Sequence, residues 1–484
     1  MDKKLLQNYA YSSIYQILIL ILPLLLTPFL TRTLGADGIG QYSYTRSVVA
    51  YFVLFGTAGS NMYAQREIAY VSDDRAERSC VFWEVLMVRC LLLGCSLILY
   101  FLLEVRSGRY PLLFLIQSMD IISAMADITW YFQGLEDFGR ITLRNAILKI
   151  SSAVLILIAV RGPSDLWLYV SIYAIGNLLG QLWLWKDISS TVSMLPFRQL
   201  HPLRHRKGIL QLFVPQVAIQ IYLVIDKTMI QLLTDDSAEN GYYELAQTIQ
   251  RACVTLTTAF GAATAARVAL LKDKSRHEEI RHLVTQSYEI VCLIGVPVAM
   301  GIGAISHNLV PWFMGDGYGP VARLLVLLCP LIVIIGFSNI SGIQYMVPMG
   351  LQRSMTISTL SGMAVNVLLN LLWIPAHKAQ GAAAASVAAE CSVALMQMLC
   401  IRKVPMKRTL LKSLIQAMLS GSVMVILIKM TEYKWLETSS FFHTSLLIME
   451  GIIIYLTMQS LLRNRLLKRI GAYILSYMTG KAHS

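Results

Sequence analysis

Residues 80–104 read CVFWEVLMVRCLLLGCSLILYFLLE, a 25-residue apolar stretch holding two charges, Glu84 and Arg89, before it closes on Glu104. Wound as a helix at about 1.5 Å per residue it is roughly 37 Å long, more than the ~30 Å hydrocarbon layer of a bilayer. In lipid, backbone N–H and C=O groups find no water, so such a run must be helical. A charge at mid-bilayer costs at least about 2.5–3.5 kcal/mol, so Arg89 needs a partner or a task.

The same pattern recurs in both directions. Apolar blocks fall at roughly 8–31, 40–60, 80–104, 110–132, 142–160, 165–186, 209–233, 242–266, 284–305, 320–345, 354–374, 380–400, 409–430 and 443–462, with short polar connectors between them. The 484-residue chain is 56% hydrophobic and 14% charged, well below the roughly 25% charge of soluble domains. The runs are too long and continuous for barrel strands. The expected class is an all-α integral membrane protein of about fourteen transmembrane helices, in two six-helix lobes plus two C-terminal helices. Met1-Asp2-Lys3-Lys4 leads straight into the first block with no small-residue cleavage site, which predicts an uncleaved first helix.

Charge sets the orientation. About 28 Lys and Arg fall in connectors on the side of the termini, about 9 on the other, and about 4 inside spans. Both termini are therefore expected in the cytoplasm, in the inner membrane. The net charge of +13 is explained by these membrane-flanking loops and contact with anionic lipid, not by nucleic acid. The basic, proline-bearing connector after the sixth span divides the chain. The expected parts are an N-terminal lobe at 1–186, a cytoplasmic linker at 187–208, a C-terminal lobe at 209–400, and the last two helices with a tail at 401–484. A shift of about 201 residues lays the first span on the seventh and Gly40-Gln41-Tyr42 on Gly241-Tyr242-Tyr243, the mark of parallel repeats.

Polar residues at membrane depth are the candidate functional groups. On the seventh span Gln216, Gln220, Lys227 and Gln231 lie within about 60° of one another, with Asp226 roughly 80° from the edge of that stripe. They suit a cavity wall with a cation for an anionic substrate and a titratable or cation-binding carboxylate; an interhelical contact that orders the bundle suits them too. The eighth span places Tyr243, Gln247 and Gln250 on one face with Arg251 at its edge, and the eleventh brings Asn366 and Asn370 together. Arg89, Asp120, Asp127, Lys149 and Glu390 also fall at membrane depth, as buried pairs or lumen groups. Glu84, Glu289 and Glu450, nearer helix ends, are expected to snorkel.

Catalytic constellations are missing: no Walker A sequence, no His-Glu-x-x-His, no Gly-x-Ser-x-Gly, no Cys-x-x-Cys. The eight cysteines lack zinc spacing and are expected to be packing residues. The expectation is a non-enzyme with no cofactor and no metal, driven by a gradient.

Several motifs carry a family resemblance. Pro28-Phe29-Leu30-Thr31-Arg32-Thr33-Leu34-Gly35 with Gly38-Ile39-Gly40-Gln41-Tyr42, Arg66-Glu67-Ile68-Ala69, Asp127-Ile128-Thr129-Trp130-Tyr131-Phe132-Gln133-Gly134-Leu135-Glu136, and Ile225-Asp226-Lys227-Thr228-Met229-Ile230 followed by Gly241-Tyr242-Tyr243 run in order. So do Gln344-Tyr345, Asn366 to Pro375 and Gly381-Ala382-Ala383. Over roughly residues 5–400 the chain resembles the Wzx-type polysaccharide flippases of the multidrug/oligosaccharidyl-lipid/polysaccharide exporter superfamily. It departs at Ala266-Arg267, where a proline-arginine pair is usual, and at His377-Lys378-Ala379-Gln380, where a glycine-rich turn is usual.

The resemblance implies a V-shaped, two-lobed transporter. It would flip undecaprenyl-diphosphate-linked oligosaccharide repeat units across the cytoplasmic membrane by alternating access, for surface polysaccharide such as O-antigen, capsule or exopolysaccharide. Lys227, Arg251, Arg89 and Lys149 would attract the diphosphate, with Arg32 near release. Gln216, Gln220, Gln247, Gln250, Asn366 and Asn370 would meet sugar hydroxyls, and Asp226, Asp127 or Glu390 would serve ion coupling. Membrane lipids, a polysaccharide polymerase and assembly proteins are the implied partners. An ion-coupled multidrug exporter of the same superfamily, and more remotely a membrane sugar polymerase or ligase, are the competing readings.

Overall fold

The computed structural model describes residues 3–106, 108–401, 407–435 and 439–469; the side chains of 3–15, 197, 212, 214–216, 218–219, 407–408 and 434–435 fall outside that description. Among the described residues there is no strand. The chain separates into two compact units, Met1–Glu244 and Leu245–Ser484. The sequence places the joint at 187–208; the contacts group the seventh span and the start of the eighth with the first unit.

The first unit contains α1 (Lys3–Thr33), α2 (Gly35–Thr57), α3 (Ser60–Tyr70), α4 (Arg75–Tyr100), α5 (Pro111–Ala126), α6 (Thr129–Gly134), α7 (Phe138–Ala159), α8 (Leu166–Trp185), α9 (Ile188–Thr191), α10 (Arg206–Thr234) and the start of α11 (Ser237–Thr258). The opening stretch of sequence is α4. Asp74 caps it, accepting from Ala76 N at 2.8 Å and Glu77 N at 3.2 Å, and a π-helical turn at Phe101–Val105 extends it. Pro111 starts α5 at the position where a missing N–H loses no bond. α2 packs on α4, α5 and α10, α1 on α7, and α5 on α8.

The second unit continues with α12 (Gly261–Asp273), α13 (His277–Met314), α14 (Gly319–Leu328), α15 (Pro330–Asn339), a π-helical segment at Ile340–Met346, α16 (Gln352–Cys400), α17 (Lys407–Trp435) and α18 (Phe441–Leu461). The last two helices pack on α13 through Leu293, Ala304, Ile305, Met424, Ile428 and Leu447. Gln459 donates to Ser420 Oγ at 3.2 Å and to Gln416 O at 3.3 Å, so they form part of this unit's core. α16 holds two spans folded back at Lys378, whose φ of +50° and ψ of −131° break the helix where the resemblance leads one to expect glycine. A Cβ on Gly381 would lie 2.4 Å from Trp373 O, so the return after that turn is tight.

Among the described residues ten helices are long and apolar enough to cross a membrane by composition alone. α2, α8 and α10 fall short of that measure, and α16 spans twice, which accounts for fourteen. Leu91, Ile98, Leu102, Leu143, Ile158, Leu368 and Leu372 are exposed around both units, as lipid-facing residues are and water-facing ones rarely are.

One expectation is overturned here. Glu84 does not snorkel; it is fully buried. Its carboxylate accepts from His201 N at 2.6 Å, meets His205 Nε2 at 2.8 Å and pairs with Arg204 at 2.6 Å, while Tyr63 OH meets His205 Nδ1 at 2.8 Å. Further along the connector, Ser193 N donates to Ser79 Oγ at 2.9 Å and Trp83 Nε1 to Ser193 O at 3.0 Å. A buried charge is tolerable only when partnered, and the connector supplies the partners. The basic linker is therefore folded along α4.

Candidate functional site

The first unit gathers its polar membrane-depth residues in two separate places. In one, α4 crosses α3 and the end of α5. The Arg89 guanidinium is fully buried and donates to Ala124 O at 2.9 Å, to Ser60 Oγ at 3.3 Å and to Asn61 Oδ1, with Asp127 at 3.5 Å. Asp127 Oδ1 in turn accepts from Thr129 N at 2.9 Å and Thr129 Oγ1 at 2.6 Å, opening α6. Four of the donors of Arg89 face protein groups, and so does the carboxylate of Asp127. The pair ties α3, α4, α5 and α6 together.

The other place centres on α2 and is built by helical spacing. Tyr42 and Arg46 lie one turn apart on α2; Tyr169, Tyr173 and Asn177 succeed one another every fourth residue on α8, sharing a face. Tyr42 meets Tyr169 edge-on at 4.9 Å between ring centroids and stacks with Tyr173 at 6.1 Å, while Tyr169 and Tyr173 meet at 5.1 Å. The Arg46 guanidinium lies over the Tyr42 ring at 5.8 Å, a cation–π contact. On α5, Asp120 accepts from Asn177 Nδ2 at 3.1 Å. The fields of Asp120 and Glu244 reach Arg46, and that of Arg46 reaches Lys149 on α7. Among the described residues Arg46 and Lys149 have no hydrogen-bond acceptor and no ion-pair partner within 4 Å. Arg46 is exposed, and Lys149 is half-buried. Lys149 and Tyr173 line a cavity of about 30 Å³ with Pro23 and Leu26 of α1.

Beside this cluster α10 and α11 contribute a third set. Lys227 pairs with Glu244, whose Oε2 also accepts from Ser43 Oγ at 2.9 Å. Asp226 accepts from Tyr243 OH at 2.6 Å, so the carboxylate that the helical angles leave pairing loosely with Lys227 is engaged by the next helix. Ser47 and Tyr51 hydroxyls meet Thr228 Oγ1 at 2.8 and 3.1 Å. α2 and α11 cross on glycine: a Cβ on Gly40 would fall 1.7 Å from Ser237 O, and one on Gly241 would fall 1.9 Å from Ala36 O. The two clashes are reciprocal under the 201-residue shift read in the sequence.

The remaining expected residues are placed as follows. Arg32 is exposed at the end of α1, donating to Pro28 O at 2.7 Å. Gln220 is exposed on α10, and the side chain of Gln216 lies outside the described residues. Gln231 is buried with neither amide atom hydrogen-bonded. In the second unit Arg251 is exposed, Gln250 is buried and Gln247 half-buried; Glu390 is half-buried on α16. Asn370 Nδ2 donates to Asn366 Oδ1 at 3.2 Å, both fully buried. The sequence reading does not single out Arg46, Tyr42, Tyr169, Tyr173, Asn177 or Glu244. The signal was available in the four-residue spacing of aromatic and polar groups on the second and sixth spans.

The arrangement offers two cations, Arg46 and Lys149, with no ion-pair partner within 4 Å among the described residues, hydroxylated aromatic faces, and a carboxylate–amide pair. Chemically, that set suits an anion attached to a polar, ring-bearing group. Residues 5–266 match the family described as polysaccharide biosynthesis protein. A protein of Escherichia coli (strain K12) named "Putative O-antigen transporter" is 23% identical over 410 residues, 82% of this chain and 96% of that one. One of the same name from Shigella dysenteriae is 21% identical over 355 residues, 72% and 87% of the two chains. Among solved structures, the lipid II flippase MurJ in an inward closed conformation superposes with a TM-score of 0.76 at 16% identity, covering 94% of this chain and 99% of that one. A multidrug resistance MATE family transporter in an inward-facing conformation gives 0.58 at 15% identity, covering 82% and 94%. The fold is thus that of these transporters, and with more than half of its length matched, the chain belongs to the polysaccharide biosynthesis protein family.

Proposed function

We propose that this protein flips an undecaprenyl-diphosphate-linked oligosaccharide from the inner to the outer leaflet of the cytoplasmic membrane by alternating access. The observation that carries the reading is that Arg46 and Lys149, two cations of one polar cluster, have neither a hydrogen-bond acceptor nor an ion-pair partner among the described residues. Two cations within electrostatic reach of one another repel, and in a membrane-spanning helix each is also expensive to desolvate. With no hydrogen-bonded carboxylate beside them among the described residues, an anionic ligand is the natural counter-charge. A diphosphate supplies it, and Arg46 can grip it with a planar fork of donors. Lys227, held by Glu244, is available when that pair opens. A cationic drug would meet repulsion at the same place, which argues against a multidrug exporter.

No bond in the substrate needs to be made or broken for this task. Lys and Arg bias in the connectors supports cytoplasmic termini. With that orientation the α2–α11 glycine crossing lies toward the outer face, where it would close the release route. A polymerase acting on the released repeat unit, with assembly proteins, completes the expected set of partners.

Conditional depletion followed by lipid analysis tests the reading. Accumulation of one undecaprenyl-linked repeat unit on the cytoplasmic leaflet is expected. Unchanged surface polysaccharide together with altered drug tolerance would sink it in favour of an exporter. A narrower check replaces Lys227 with Ala and with Arg at matched expression; full export by both would remove Lys227 from the substrate path.

A further inference from the structure

Two of the aromatic clusters in the first unit differ in a way that points to a ligand. Tyr100, Phe114 and Phe52 form an edge-to-face group at 5.1 and 6.0 Å. Tyr100 and Phe114 are 0% exposed, and Tyr100 OH donates to Phe114 O at 2.7 Å. Two of its three rings are thus wholly used by packing. Around α2 and α8, by contrast, Tyr42 and Tyr173 stay half-buried, and among the described residues no hydrogen bond engages the Tyr42 hydroxyl. Tyr169 is 7% exposed and backs the other two rings. The rings adjoin the Arg46 guanidinium, and the Asp120–Asn177 pair stands one turn beyond Tyr173 on α8.

We propose that Tyr42 and Tyr173, backed by Tyr169, form an aromatic wall that receives a pyranose ring of the lipid-linked glycan. Asp120 and Asn177 read its hydroxyls, and Arg46 and Lys149 hold the adjoining diphosphate. The inference rests on the flippase reading and deepens it: it assigns the sugar-recognising part of the site. The chemistry follows from the shapes of the groups. A pyranose has a face of axial C–H bonds and a rim of hydroxyls. The negative face of an aromatic ring attracts the C–H face, while a carboxylate–amide pair offers acceptors and a donor to the rim. An aliphatic wall would bury the same area without orienting the ring. A site built to hydrogen-bond hydroxyls also discriminates strongly against a ligand that lacks them, because its polar groups are then left unpaired.

Binding of two probes to the full chain in nanodiscs tests this. One is undecaprenyl diphosphate; the other is the same lipid bearing one N-acetylhexosamine. Wild type should bind the sugar-bearing lipid about tenfold more tightly. Tyr42→Leu and Tyr173→Leu should bring that ratio to about one, while affinity for undecaprenyl diphosphate stays within about twofold; Tyr173→Phe should keep the preference. Arg46→Gln should weaken both lipids together. Wild-type binding of both lipids with no preference overturns the wall and leaves the flippase reading standing. A preference that survives both leucine substitutions, or an equal loss of both lipids on making them, overturns it as well. Wild type that binds neither lipid overturns the flippase reading and the wall with it. The wild-type ratio needs no variant, so the inference remains testable even where a leucine variant folds poorly.

Discussion

Ser43 donates a hydrogen bond of 2.9 Å to Glu244, its own counterpart 201 residues further along the chain. One helical turn earlier Gly40 and Gly241, with the same offset, let α2 and α11 touch backbone to backbone. A side chain at either glycine meets a carbonyl oxygen, which no rotamer change relieves. Gly40→Val and Gly241→Val are each expected to destabilise the protein by about 2–3 kcal/mol, the range for overpacking a tight contact. Thermal unfolding of the purified protein in detergent measures it; an unchanged midpoint would show that the helices separate freely there.

Arg46 and Arg89 are expected to separate function from stability. Arg46 gives up no protein hydrogen bond on substitution, so Arg46→Gln should leave the unfolding midpoint nearly unchanged and cut export by tenfold or more, roughly the effect of losing a charge-assisted contact. Arg89→Gln leaves Asp127 without its buried cation and should lower stability by about 3–5 kcal/mol, so that abundance falls before any transport defect is seen. Quantitative blotting beside an export assay distinguishes the two; equal abundance of both variants with equal loss of export would contradict the division.

Lys378 holds a backbone conformation that favours glycine, with φ at +50° and ψ at −131° between the two spans of α16. Lys378→Gly should therefore stabilise the second unit by about 1 kcal/mol, the lower end for relief of such strain. A rise of the unfolding midpoint is the expected reading, and a fall would mean that the contacts of the Lys378 side chain outweigh the backbone term.

Glu84 fastens the connector through His201, Arg204 and His205. Glu84→Ala leaves His201 N without its acceptor and removes the carboxylate that Arg204 and His205 share, a loss of roughly 3 kcal/mol. The connector carries Arg198, Arg204, Arg206 and Lys207, so release should show as faster tryptic cleavage there at native temperature. Cleavage at the wild-type rate would show that the connector is held by the Ser79 and Trp83 contacts alone.

The fold was legible because lipid leaves the backbone so few choices. Residues 80–104 can only be a helix in a bilayer, and charge in the connectors counts the crossings. Hydropathy serves least well where the chemistry lies. α2, α8 and α10 are diluted by the tyrosines, Asn177, Arg46 and Lys227 that form or adjoin the cluster, and they fall below a composition threshold for that reason. The seventh span drew the site reading toward Lys227 because its polar groups are dense in sequence. Arg46 is the only charge between residues 40 and 60, and the groups that make up its cluster come largely from α5, α7 and α8, which periodicity within one helix does not reveal. Arg89 shows the converse. In sequence it resembles a lumen cation, yet Asn61, Ala124 and Asp127 converge on it only once α3 and α5 have docked.

The glycine crossing also bears on how such a chain can vary over generations. Positions 40 and 241 correspond under the 201-residue shift and are also neighbours, so neither can accept a larger residue while the other makes room. Positions elsewhere in the two stretches change in separate surroundings. At this one contact a change at either position is a collision with the other stretch, and both should remain glycine while the residues around them vary.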